Sequence, residues 1–160
     1  MTSGDLLPGF LDFSCEVTAF SVFDLQGTGQ AQAYLDVVVL VVGEDVVREL
    51  LDAHQRAVRE IPTDRTARAG LLTRDIFSSE KLGPIARNII KLWYVGVWYG
   101  LGPEWADSFG VPEHDGTFTA SPQAYPEGLL WRAIGANPPG ARAPGYGSWA
   151  EPPRIPVVTA

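Results

Sequence analysis

Three consecutive titratable residues, Glu113, His114 and Asp115, are the first place in this chain where chemistry would be sought. Together they could form an acid-base group. Consecutive residues of a proline- and glycine-rich loop point in different directions, however, so a solvated loop is the plainer reading. Paired carboxylates for glycoside hydrolysis need a separation of roughly 5 to 9 Å across a cleft, a distance no sequence carries. Trp105 nearby could serve as a sugar platform, although core packing explains most aromatic residues more simply. His54 lies about 60 positions from His114, and Cys15 is the only cysteine, so no zinc-ligand spacing and no internal disulfide emerge. The motif GTGQAQ, with Gly27 and Gly29, places Gln32 where a dinucleotide-binding loop needs its third glycine, and no buried strand precedes it. It reads as a turn before a helix. GxxxxGK[ST] and GxSxG do not occur. No catalytic residue, cofactor-binding residue or metal ligand is therefore expected in this chain.

The composition narrows the partners. A length of 160 residues, 46% of them hydrophobic and 19% charged, suits one globular domain with a real core. The formal charge is -7, and the twelve Lys and Arg residues never cluster in fours. Neither a phosphate backbone nor an anionic membrane surface is an expected partner. The opening residues, MTSGDLLP, carry an acid and no basic, apolar signal, so no export signal is expected in them. The apolar run from Val37 to Gly43 is about a third of the roughly 20 residues that span a bilayer, and no transmembrane segment is expected.

The positioning elements read as mainly α: a small helical domain with a long irregular, Pro/Gly-rich C-terminal tail. Phe10, Phe13, Val17 and Phe20 predict a helix over 9–20. DLQGTG reads as a loop. From Gln30 one helical segment is predicted to continue through GEDVVRELLDAHQRAVREI, with Val46, Leu50, Ala53 and Ala57 at helical spacing. PTDRTARAG, 62–70, reads as a surface connection, followed by a helix over 71–76. A single long helix is then predicted from a Ser78 or Ser79 cap to Tyr99, with Arg87, Asn88 and Lys91 on its polar side. Residues 100–121 read as loop, and PEGLLWRAI as a short helix with Pro126 near its first position. The organisation is thus an N-terminal lead, 1–8, a helical domain, 9–134, and an extended partner-binding tail, 135–160. The tail is dense in proline yet carries Tyr146, Trp149 and Ile155, so it needs a surface to lie on.

The most unusual stretch is IIKLWYVGVWYG, with Trp93, Tyr94, Trp98 and Tyr99 and a single charge, Lys91. A helix apolar on most sides must be buried on most sides. Two readings stay open: a central core helix, or a face completed by another protein.

The order of FLDFSCEVTAF, LQGTGQAQAYLDVV, IARNIIKLWYVGVW and AYPEGLLWRAIGANPPGARAPGYGSWAEPP resembles the small subunit of bacterial membrane-associated FAD-dependent sugar and polyol dehydrogenases. This family comprises the sorbitol, fructose, gluconate and glucose dehydrogenase small subunits. The resemblance covers roughly residues 10 to 156 and is most specific at Trp93 to Gly96, at Tyr125, Glu127, Leu129 and Leu130, and in the closing Pro-Gly…Trp…Pro tail. It implies a helical accessory chain that binds a large FAD-containing catalytic subunit of the glucose-methanol-choline type, helps it fold and travels with it through the twin-arginine export route. A cytochrome c subunit often accepts the electrons. FAD is then expected in the partner, none in this chain. The family suggests the periplasmic side of the inner membrane; the lack of a twin-arginine signal in the opening residues leaves a cytoplasmic location open. Where some relatives carry a tail cysteine, Asn137 to Gly140 reads NPPG, and no covalent tie to the partner is expected there. The partner-binding residues expected on this reading are Trp93, Tyr94, Trp98, Tyr125, Tyr146 and Trp149. The alternative is a self-sufficient carbohydrate-binding or hydrolytic domain using the Glu113–Asp115 loop.

Overall fold

The computed structural model describes residues 5–141 and is mainly helical. The first helix, α1 (Leu7–Thr18), opens with Pro8 in its first turn and stops at Ala19, whose φ of 63° is left-handed. Its stripe of Phe10, Leu11, Phe13, Ser14 and Thr18 is buried. DLQGTG is not simply a loop, because α2 (Val22–Gly27) runs into it. Ser21 caps this helix through a reciprocal box with Asp24, a local device that outweighs the weak apolar pattern.

The predicted continuous segment after Gln30 is two helices, α3 (Ala31–Val42) and α4 (Glu44–Glu60). Gly43 separates them at φ 83° and ψ 156°, a conformation that favours glycine and cannot continue a helix. The helices therefore fold back on each other. Residues 62–70 are not wholly a connection either: Asp64 caps the backbone N–H of Ala67 and starts α5 (Arg65–Leu72), which passes into a π-helical turn, Thr73–Phe77.

The long helix predicted through Tyr99 is shorter, α6 (Leu82–Val95). Gly96 ends it at φ 72°, and a Cβ there would lie 2.5 Å from the Ala124 Cβ, so only glycine admits the close passage of the chain. Val97–Trp98 then forms strand β1, paired antiparallel with β2 (Phe118–Thr119) in the register Val97 to Thr119 and Trp98 to Phe118. Between the strands, in a stretch read as loop, lies α7 (Pro103–Phe109). PEGLLWRAI is divided by Gly128 into α8 (Ala124–Glu127) and α9 (Leu129–Ala133), with Pro126 in the third position of α8. Gly128 breaks the helix with an extended ψ of 130°, and a Cβ there would meet the Tyr94 carbonyl oxygen at 2.7 Å, so glycine is what lets α6 pass this close.

Helix α6 is the central element, touching α1, α3, α4, α8 and α9. Trp93 is fully buried between the stacked ring of Phe10, at 6.2 Å, and the edge-on ring of Tyr34, at 5.0 Å. Its Nε1–H donates to Ser14 Oγ at 2.9 Å. Asn88, expected on the polar side, is buried instead: its amide donates to the Tyr99 carbonyl at 2.8 Å and its oxygen accepts from the Tyr99 N–H at 3.2 Å. That pair of bonds pins the chain where it leaves β1.

Candidate functional site

The acid-base triplet does not assemble. Asp115 is occupied structurally, accepting from Trp98 Nε1 at 3.1 Å and from the Leu101 N–H at 2.8 Å. Glu113 and His114 are exposed. Trp105 offers no open platform, being buried against Phe109 with its Nε1–H donated to the Lys81 carbonyl.

Of the residues expected at a partner interface, Trp93 and Trp98 are fully buried in this chain's own core. Their packing is internal. Tyr94 is half-buried, its hydroxyl donating to the Thr18 carbonyl at 3.1 Å. Tyr125 is exposed, edge-on to Trp131 at 5.3 Å, with its hydroxyl donating to the Pro139 carbonyl at 3.3 Å. Tyr146 and Trp149 lie outside the described residues.

Two regions expose large apolar side chains, and apart from Tyr125 the sequence reading singles out none of those exposed residues. On α2, Phe23 is 84% exposed, and Val22 beside it is also open. This helix is tied to α9 by Arg132, which donates to Asp24 Oδ1 at 2.7 Å and lies over the Phe20 ring. Tyr125 and Ile134, flanking α9, are exposed as well. The second region is a cleft of about 350 Å³ between the α3–α4 junction and α7, lined among others by Val41, Val46, Trp105 and Phe109. Val111 on its rim is 83% exposed. Val111, an apolar residue between Gly110 and Pro112, carried a signal of this kind; Phe23, beside Val22 and Leu25, carried none.

A third feature, with no local signature, joins α1, α4 and α5. The Glu16 carboxylate, largely enclosed, accepts from Arg68 Nη2 at 2.8 Å, and Arg65 Nε stands 3.6 Å from its other oxygen. Arg68 also donates to the carbonyls of Ile61 and Pro62. His54, buried and edge-on to Phe13, places Nε2 4.0 Å from Glu16 Oε2, too far for a hydrogen bond. Burial holds the His54 pKa below its ordinary value, against the opposing pull of Glu16 and Asp12. His54 Nε2 and Arg68 Nε find no hydrogen-bond partner among the described residues. These groups line a cleft of about 440 Å³ together with Asp12, Gln55 and Arg59. Glu16 and Arg68 are 52 positions apart, which is why no spacing rule could pair them.

No metal-binding group of three or more His, Cys, Asp or Glu side chains and no helix long and apolar enough to cross a membrane occurs among the described residues. Comparison of the chain with family models, with curated proteins and with solved structures finds no match.

Proposed function

We propose that this chain is a non-catalytic small subunit that binds a large FAD-dependent oxidoreductase of the glucose-methanol-choline type, acting on sugars or polyols, and that it stabilises that partner and assists its folding. The observation that carries the reading is the exposure of large apolar side chains, Phe23 at 84% and Val111 at 83%, on a chain that already buries Trp93 of α6 and Trp98 of β1 in its own core. Isolated apolar residues on a surface need no explanation, but exposed Val22 and Phe23 lie on α2 and exposed Ile134 follows α9, the two helices joined by the Arg132–Asp24 pair. The motif order that resembles the dehydrogenase small subunits supplies the class of partner, and the expected interface includes Tyr125 with Tyr146 and Trp149 of the tail.

Co-expression with a large flavoprotein of this class encoded beside the chain, followed by size exclusion monitored at the flavin band, tests the proposal. Co-elution, with soluble flavin-loaded partner only when the small chain is present, is the expected result. A partner that is soluble, flavin-loaded and active without this chain, and that never co-elutes with it, would overturn it.

A further inference from the structure

We infer that residues 142–160, which follow the described part of the chain, fold back on their own domain and seat Trp149, with Tyr146 beside it, in the cleft between the end of α2 and α9. The inference concerns the chain by itself and does not rest on the accessory role.

The first ground is the direction in which the described chain ends. Pro138 to Ala141 form a type II turn: the Ala141 N–H donates to the Pro138 carbonyl at 3.2 Å, Pro139 takes the second position and Gly140 the third, at φ 73°. Such a turn reverses the chain and leaves its first and last Cα atoms within about 7 Å of each other. The Tyr125 hydroxyl fixes it by donating to the Pro139 carbonyl at 3.3 Å. The turn therefore aims the following residues back along 136–138.

The second ground is what that return path meets. Ala136, Asn137 and Pro138 form one wall of a cleft of about 330 Å³, which Gly27, Pro126 and Trp131 also line. This volume is at the low end of ligand-sized clefts, roughly 300 to 1,000 Å³, and suits one large side chain. Trp131 is half-buried, and Ile134 just beyond it is exposed.

Length and tethering then select the occupant. Tyr146 and Trp149 come five and eight residues after Ala141, spans of at most about 18 and 29 Å, while the cleft wall begins at Pro138, the first residue of the turn. A segment on so short a tether presents its side chains at an effective concentration on the order of millimolar, whereas a second copy or a partner chain arrives at its bulk concentration. Tyrosine and tryptophan each bury roughly 150 to 250 Å², so these two side chains gain most from the cleft. A partner that takes up Tyr146 and Trp149 must first draw them out of it.

The test uses the full chain labelled with 5-fluorotryptophan, its five tryptophan signals followed by fluorine NMR. Trp149→Ser assigns the Trp149 signal by removing it, and should also move the signal of Trp131. The inference expects the Trp149 signal away from its position in urea, with a reduced shift between ordinary and heavy water, at every protein concentration. Gly27→Leu, at a position where an added Cβ meets nothing within 4 Å, should fill the cleft and return the Trp149 signal to its unfolded position. Chymotryptic cleavage after Tyr146 and Trp149 should then rise by about tenfold or more, since cleavage follows the undocked population. Gly70→Leu on α5, equally open at its Cβ, should change neither readout, and circular dichroism should stay native in both variants. A Trp149 signal at the unfolded position in the original chain, or a Trp131 signal that Trp149→Ser leaves in place, would overturn the inference. A shielded Trp149 that Gly27→Leu does not release would place the segment elsewhere and overturn it too. Shielding that appears only as concentration rises would assign the cleft to a second copy and overturn it equally.

Discussion

At the scale of single residues, titration behaviour follows from burial. His54 has its folded pKa pushed below its ordinary value, chiefly by desolvation, so the folded chain binds its proton more weakly than the unfolded one. Its contribution is complete above the unfolded value, about 6.5, and is lost as pH falls from there through the depressed folded value. The melting temperature should therefore drop between pH 7.5 and 5.5, and His54→Gln should flatten that part of the profile. Cys15 is half-buried, and burial followed by the nearby Asp12 charge raises its pKa. A thiol so placed is a poor nucleophile at neutral pH. Alkylation of the native chain at pH 7.5 should be slower than that of a free thiol and should accelerate on unfolding in urea. Arg68→Met should cost about 3 kcal/mol or more in urea titration, because the enclosed Glu16 carboxylate loses its direct partner.

At the scale of elements, glycines with positive φ decide where helices stop. Gly43 ends α3 and Gly96 ends α6, and neither stop is visible in the apolar period, which runs on through both. Gly96 has two constraints, a left-handed φ of 72° and an Ala124 Cβ that would lie 2.5 Å from any added Cβ. Gly96→Ala should therefore destabilise the fold by more than about 2 kcal/mol in denaturant melts. Gly43→Ala meets only the backbone penalty, since nothing lies within 4 Å of its added Cβ, and should cost less. Measuring both in the same titration separates conformational strain from collision.

At the scale of the whole molecule, the question is where apolar surface remains. The core is closed around α6 by Phe10, Tyr34 and Trp93, while Phe23 and Val111 stay open to solvent. Replacing either by serine should leave the unfolding free energy within about 0.5 kcal/mol of the original, as expected of surface positions. On the proposed role it should also increase the solubility of the isolated chain and weaken co-elution with the flavoprotein. Retained co-elution would place the contact elsewhere, with Tyr125 the next position to change.

The mainly helical class and the helices at α1, α3, α4 and α6 were legible in the chain, because amphipathic spacing is a local property that burial on one face imposes. The short helices α2 and α7 were missed and the helix expected over 71–76 starts earlier, at Arg65, since two turns held by a cap or by tertiary packing leave little periodicity. The aromatic stretch announced that it must be buried, but whether by its own fold or by another protein was decided only when Phe10 and Tyr34 arrived from distant positions to enclose Trp93. The Glu16–His54–Arg68 cluster was likewise invisible, for its members come from three helices and acquire meaning from separations of a few ångströms. Composition and period set which surfaces must be hidden; the tertiary structure alone determined which residues hide them, which polar atoms meet there, and which apolar side chains stay outside.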